Sequence, residues 1–334
     1  MKIKNSEAIL KIAKPIGGLH GISAIFPKFD DVINYEEQKI IMNRGYPRFV
    51  THPFVKKIEN LYKKKFNAID VLSCHSFESA IFLVLNYYFK VGIRISDNNG
   101  LVDKFFKYFS NRFPGIISKT RVDKADIIIT NDENFKPELK TDNQVLITIL
   151  KDPSQNFIEY YNIIDILIIH DKVNDIGLLL FYNKKIPDLT LLRRHTGLIP
   201  SSRKIFSKKS SSEQMYLQRR EQLKVKLSKL ELTYSDNCFL FPSGMAAVFF
   251  AVYTLISPKK SRFIALGSLY VDTIRILEKW PKNYNLKDTL FITKDFENQL
   301  KLSIDKDTAG VILEFPSNPL LQLIDLEKIV KIAH

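Results

Sequence analysis

Phe241-Pro242-Ser243-Gly244-Met245-Ala246-Ala247 is the stretch whose reading decides the fold of this chain. A short apolar run, Cys238 to Phe241, leads into it, and an apolar segment of helical length, Met245 to Ile256, leads out. The pattern is a strand-to-helix turn. The first turn of a helix aims several backbone N–H groups at one point and carries the positive end of the helix dipole, so it can seat a phosphate. Gly244 lets a ligand approach the backbone closely. Ser243 can cap the helix or give its hydroxyl to a phosphate oxygen, and Ala246 and Ala247 keep the helix start slim. Taken alone, these residues are equally an ordinary Ser-capped connection.

Two further segments stand at strand ends downstream. Val311-Ile312-Leu313 delivers Glu314 to the C-terminal end of a strand, where ligands bind in open α/β sheets. The loop Phe315-Pro316-Ser317-Asn318-Pro319 follows, its two prolines holding the Asn318 amide between them. Gly267-Ser268-Leu269-Tyr270 comes after the run Phe263 to Leu266 and sets Tyr270 where a phenol face could stack on a flat ring. A proline-rich loop and a plain core or surface tyrosine are the simpler alternatives for each segment by itself.

Along the whole chain, apolar runs of strand length alternate with segments of helical period. The expected strands are Ile69 to Ser73, Ala125 to Thr130, Val145 to Leu150, Ile164 to His170, Gly177 to Tyr182, Cys238 to Phe241, Phe263 to Leu266, Thr289 to Thr293 and Gly310 to Phe315. Most are continuous Ile/Leu/Val/Phe runs, which suits strands covered on both faces. Helices are expected over Pro53 to Phe66, Glu78 to Lys90, Leu101 to Phe113, Gln214 to Leu232, Met245 to Ile256, Val271 to Trp280 and Asp325 to His334. The alternation predicts an α/β fold with a mainly parallel sheet and helices on both faces. Between them, positions 201–214 mix serine with Lys and Arg and read as a linker, dividing the chain into 1–200 and 215–334. The order helix, strand, small-residue turn, helix occurs in both parts. Leu72 to Val84 aligns with Leu240 to Val252 without a gap, which suggests an internal repeat, with chance similarity of two such units as the alternative.

Composition sets the limits. The chain has 334 residues, 45% hydrophobic and 26% charged, which suits a globular protein with one large or two moderate domains. Its net charge of +14 is spread over amphipathic segments such as Val55 to Lys65. With no nucleic-acid motif beside it, that charge reads as solvated helix faces and not as a specific nucleic-acid surface. No apolar run approaches the roughly 18–20 residues of a membrane span, and the N-terminus lacks the apolar core of a signal peptide. The two cysteines, Cys74 and Cys238, form neither a disulfide framework nor a metal cluster, so a cytoplasmic location is expected. His52, His75, His170 and His195 have no metal-ligand spacing, and no metal is expected.

Taken together, the three strand-end segments resemble the cysteine/methionine-metabolism family of pyridoxal 5'-phosphate (PLP) enzymes, the cystathionine γ-synthase and cystathionine lyase group. Ser243-Gly244-Met245-Ala246-Ala247 is similar to that family's phosphate turn. Leu269-Tyr270 stands at its ring-stacking tyrosine, although Val271-Asp272-Thr273 replaces the family's Gly-Gly-Thr. Pro316-Ser317-Asn318-Pro319-Leu320-Leu321 with Ile324-Asp325 and Ile332-Ala333-His334 is similar to the next block. The resemblance implies the large-domain fold of the aspartate-aminotransferase type, PLP as cofactor, phosphate held by Ser243, Gly244 and Met245, and Asn318 near the ring hydroxyl. It also implies that the pyridine-pairing aspartate and the Schiff-base lysine belong after position 334.

The first part resembles a shortened, worn copy of the same fold. Tyr46-Pro47-Arg48 is similar to a segment that reaches a neighbouring subunit's phosphate. Asp165 to Lys172 is similar to the strand carrying the Schiff-base lysine, which makes Lys172 the candidate lysine of this chain. Leu191 to Gly197 resembles a segment after that lysine. The turn Cys74-His75-Ser76-Phe77 lacks the glycine. By resemblance the activity is carbon–sulfur chemistry on small amino-acid substrates, cystathionine γ-synthase-like transsulfuration first, by a homo-oligomer (dimer or tetramer). An inactive paralogue partnering a complete enzyme is the alternative.

Overall fold

The computed structural model describes residues 53–88, 92–97, 99–112, 117–132, 140–151, 163–183, 189–200, 213–257, 259–283, 286–317 and 320–334. Tyr46, Arg48 and His52, positions 201–212 of the expected linker, and Asn318 lie outside these residues.

The first unit runs α1 (Pro53–Lys65), β1 (Asp70–Cys74), α2 (Phe77–Tyr88), β2 (Ile93–Asp97), α3 (Asp103–Arg112), β3 (Ile117–Lys119), β4 (Ile127–Thr130), β5 (Val145–Leu150), β6 (Ile166–Asp171), β7 (Ile176–Phe181) and α4 (Thr190–His195). Its seven strands form one sheet in the order β1-β7-β6-β5-β4-β2-β3. All neighbours from β6 to β3 are parallel. Strand β7 returns antiparallel to β6 and pairs antiparallel with β1. Every residue of β4 and β7 is buried. Apolar packing covers both faces: Leu72, Ile129, Ile147, Ile168 and Leu179 on one, Val71, Ile128, Leu146, Leu167 and Leu178 on the other. This is why the central strands are continuous apolar runs and not alternating ones, each buried Ile or Leu contributing about 1.5–3 kcal/mol.

The second unit runs α5 (Glu213–Leu230), α6 (Gly244–Leu255), β8 (Arg262–Leu266), α7 (Val271–Asn283), β9 (Leu290–Ile292), α8 (Phe296–Ser303), β10 (Thr308–Leu313) and α9 (Leu326–Ala333). Its three strands are parallel in the order β10-β8-β9. Together the two units form the mixed α/β architecture with a mostly parallel central sheet that the apolar runs predict. A shared core joins them, Phe82 and Leu83 of α2 lying in one cluster with Phe249, Val252 and Tyr253 of α6. Among the described residues, no helix is long and apolar enough to cross a membrane.

Several expectations are corrected. Cys238 to Phe241 is not a strand: Ser235–Asn237 form a 3₁₀ turn and no described strand pairs with the run that follows. A strand is made by its ladder partner as much as by its own residues. Helix α5 begins at Glu213, inside the expected linker. Strands β2 and β3 and helices α4 and α8 went unforeseen because they are short or polar. Met245 is not the first helical residue of α6; Gly244 is.

Candidate functional site

The site is best built from the first turn of α6. Ser243 has extended backbone (φ −155°, ψ 160°) and caps the helix, its Oγ accepting from the Ala246 amide at 3.1 Å. This is the Ser-cap geometry expected from the sequence. The amides of the next two residues, Gly244 and Met245, have no intrahelical acceptor by the geometry of any α-helix. A Cβ placed on Gly244 would meet nothing within 4 Å, so the turn is open on that side. On the other side it is covered. The Ser243 hydroxyl donates to the Gly197 carbonyl at 3.0 Å. Gly197 is left-handed (φ +63°) and so close that a Cβ there would stand 2.3 Å from Ser243 Oγ and 2.4 Å from the Ala246 nitrogen. Glycine is required at this position both for its φ and for that approach. It follows Thr196, the C-terminal cap of α4, in the usual place for a left-handed glycine.

Strands β8 and β10 are parallel, so the loops after them leave at the same end of the sheet. Tyr270 stands after β8 and Glu314 after β10. They are linked: Glu314 Oε1 accepts from the Tyr270 amide at 2.8 Å and from the Thr273 hydroxyl at 3.2 Å. Glu314 thereby satisfies the start of α7. Burial pushes its carboxyl above the usual range, and the Thr273 hydrogen bond opposes that rise. The loop beyond is organised by buried Ser317, whose Oγ accepts from the Gln322 amide at 2.8 Å.

Asp272 lies in the first turn of α7, where the family resemblance calls for glycine. It is fully buried. Arg194 of α4 holds it with Nη2 3.0 Å from Oδ1 and Nε 3.3 Å from Oδ2, and Arg275 adds a bond of 3.1 Å. The Tyr270 phenol donates to Asp272 Oδ2 at 3.4 Å. The His195 ring lies 3.9 Å from the same carboxylate. Burial lowers the His195 pKa to about 4, with Lys279, Arg275 and Arg194 adding to the fall and Asp272 opposing it. At neutral pH this imidazole is neutral. A helix N-terminus favours such a carboxylate, and Arg275 pairs with it at i,i+3 on the same helix, but its Arg194 partner was not legible in the sequence.

The remaining candidates fall in the first unit. Lys172 is exposed in the turn between β6 and β7. That turn is built on Asp171, whose Oδ1 accepts from the Val173 and Asn174 amides. Strand β6 is interior to the sheet, between β7 and β5. Gly177, just beyond, crowds the start of α2, a Cβ there standing 2.3 Å from the Ser76 carbonyl. The β6–β7 turn thus lies at the end of the sheet where Cys74 pairs with Gly177. Cys74 is fully buried, which pushes its thiol up to about 12 and keeps it unreactive. A buried network missed from sequence lies behind that turn. Glu59 Oε1 accepts from the Ser73 amide and hydroxyl at 3.0 and 2.7 Å, and Arg193 Nη1 donates to the Ser73 carbonyl at 2.7 Å and lies 3.3 Å from Glu59.

The turn at α6 fits a phosphate through backbone amides, and the Ser243 hydroxyl is committed to Gly197. Residues 207–334 match the model of the Cys/Met metabolism PLP-dependent enzyme family. The chain is 30% identical over 107 residues to cystathionine γ-synthase of Haemophilus influenzae, covering 32% of this chain and 28% of that protein. It is 32% identical over 103 residues to L-methionine γ-lyase of Brevibacterium sandarakinum, covering 31% and 25%. It thus spans about a quarter of the length of these relatives. A solved structure of cystathionine γ-lyase from yeast is similar at 15% identity over 54% of this chain and 57% of that one, with a TM-score of 0.37. Residues 207–334 thus carry a domain of the Cys/Met metabolism family of PLP-dependent enzymes.

Proposed function

We propose that the second unit forms the phosphate-facing part of a PLP site for cystathionine γ-synthase-like transsulfuration, in which cysteine replaces the γ-acyloxy group of an activated homoserine. The reading is carried by one observation: the family-matched segment places Gly244 and Met245 in an open, Ser-capped first turn of α6. Bound PLP supplies the electron sink for chemistry at the amino-acid carbon atoms. In this reading the Gly244 and Met245 amides hold the phosphate and Ser243 fixes the turn. Tyr270 would stack on the ring, its phenol positioned by its hydrogen bond to Asp272. Asn318 orients the ring hydroxyl, Tyr46 and Arg48 reach the phosphate from a neighbouring subunit in a dimer or tetramer, and Lys172 is the candidate lysine. The substrates are small amino acids, handled in the cytoplasm.

A second reading is that the chain is a non-catalytic paralogue that pairs with a complete enzyme. The Gly197 carbonyl on Ser243, and Asp272 at a position where the family resemblance calls for glycine, favour it. One experiment separates the two. The purified chain is mixed with PLP, its visible spectrum recorded, and the product reduced with borohydride and mapped. A new visible band and one labelled lysine, with cystathionine formed from cysteine and an acylated homoserine, support the enzyme. Absence of band and label rejects it for this chain alone and leaves the partner role.

A further inference from the structure

From α1 to β4 the elements of the first unit recur in the second in the same order, with helix α8 added between β9 and β10, where the first unit has the 3₁₀ turn Val122–Lys124. Helix α1, the β1 run, α2, β2, α3, β3 and β4 are followed by α5, the Cys238 to Phe241 run, α6, β8, α7, β9 and β10. The parallel set β4-β2-β3 has the arrangement of β10-β8-β9. Helices α2 and α6 each have 12 residues. Each starts one residue after a serine whose Oγ accepts from the amide three residues on, at 3.1 Å in both. These caps pair Ser76 with Ser243, one residue away from the gapless alignment of Leu72 to Val84 with Leu240 to Val252.

Counting six residues from each cap pairs Phe82 with Phe249. Those two rings touch edge-on, with centroids 6.1 Å apart. A two-fold axis relating two copies brings a residue on it against its own counterpart, as in an isologous dimer, and the Phe82–Phe249 contact has that form. Phe82 also meets Phe250 at 5.4 Å and Tyr253 at 6.1 Å. A second observation lies beside the helices. The Gly197–Leu198 segment runs between the two equivalent turns: the Leu198 carbonyl accepts from the His75 amide at 3.0 Å, and the Gly197 carbonyl from Ser243 at 3.0 Å. Arg194 of the same segment reaches Asp272 of the second unit.

We propose that residues 53–198 and 213–334 are two copies of one α/β unit packed about a pseudo-two-fold axis at Phe82 and Phe249, the first copy serving the second as a built-in partner subunit that supplies Gly197 and Arg194 to its candidate site. The face of α6 that a separate copy would need is then covered from within the same chain. The inference rests on packing and stands whether or not PLP binds.

The test is to nick the whole chain. A protease site inserted between Ser201 and Ser212 is cut in the folded protein, and the mass is followed by light scattering on dilution through micromolar concentrations. The nicked chain is expected to keep the mass of the uncut chain. Phe82→Ala and Phe249→Ala are each expected to weaken the association of the halves, by about 10- to 100-fold and to similar extents. If the Ala variants lose helical signal, Phe82→Leu and Phe249→Leu, which keep the core filled, make the comparison. Halves that part at micromolar concentration overturn the built-in partner. Substitutions that leave the dissociation constant unchanged, or of which only one has an effect, overturn the two-fold relation.

Discussion

The two units carry the same local code and close it differently. In the first, β4 lies between β2 and β5 and all its residues are buried; in the second, β10 has, among the described residues, β8 on one side only and is half-buried throughout. Strand β1 exists because β7, far along the chain, pairs with it from Asp70↔Phe181 to Cys74↔Gly177. The run Cys238 to Phe241, at the same place in the second unit, has no such partner among the described residues and forms no ladder. Helix α1 buries Val55 and Glu59 against its unit, whereas α5 exposes Met215, Leu217, Leu223, Val225 and Leu230. Helices and their caps are local and appear in both units. Sheet order and helix docking are non-local and depend on what returns to cover them.

If that contrast is right, the largest effect of a single substitution should lie in the closed unit. Glu59 and Arg193 are both almost fully buried and share Ser73. Removing one partner leaves the other charge buried and unpaired, at about 3–5 kcal/mol. Glu59→Ala should therefore lower the unfolding free energy by that amount in urea titrations. Arg262→Ala breaks the partly exposed pair with Asp305 in the open unit and should cost below about 1 kcal/mol from that pair. Equal losses at the two sites would break the comparison.

Next in size is the segment between the units. Gly197→Ala forces a left-handed alanine, at about 1–2 kcal/mol, and pushes a methyl into Ser243 and Ala246. A total loss of about 2–4 kcal/mol is expected, with faster amide exchange at the start of α6. Gly244→Ala meets open space, so its loss should be smaller. Similar losses at the two glycines would show that Gly197 does not close the turn.

The His195 pocket gives a pH dependence. Its folded pKa of about 4 lies below the ordinary imidazole value, so the fold favours the neutral ring. The stability is complete above about pH 6.5 and falls as pH drops towards 4, because the unfolded chain takes up the proton first. About 1–3 kcal/mol should be lost over that window. His195→Gln should flatten the Tm profile there.

The sequence made the framework legible where signals were local or strongly apolar. Continuous runs such as Ile127-Ile128-Ile129 and Leu178-Leu179-Leu180 announced strands covered on both faces, though β7, which carries the second run, is antiparallel to both neighbours, and Ser243 announced its cap. What escaped were polar contacts between distant segments. Nothing in the order of residues brings Arg194 to Asp272, or Arg193 to Glu59, since those pairings depend on how α4 packs between sheet and neighbouring unit. Ser243, Gly244 and Met245 were placed correctly at a helix start, but the hydroxyl's commitment to Gly197 needed the fold. Lys172 shows the same limit: its motif was visible in the sequence, but only the fold shows that it is exposed in the turn between β6 and β7.

The smallest contrast is also the cleanest, because both units use the same device. Ser76 and Ser243 each accept a helix amide at 3.1 Å. They differ in where the hydroxyl proton goes: Ser76 donates to the Ser79 hydroxyl at 3.1 Å, and Ser243 donates to the buried Gly197 carbonyl. Ser76→Ala leaves one amide to find water and a serine hydroxyl free to rotate, a cap loss of about 1 kcal/mol. Ser243→Ala loses the same cap and also strands a buried carbonyl, whose lost hydrogen bond adds about 0.5–1.5 kcal/mol. The difference between the two substitutions, read from urea midpoints at constant m, isolates the bond that joins the first unit to the turn of the second. Ser243→Thr keeps both hydrogen-bonding roles and should restore most of the loss, whereas Ser243→Gly should recover the cap alone, because glycine is tolerated at that position but has no hydroxyl to donate.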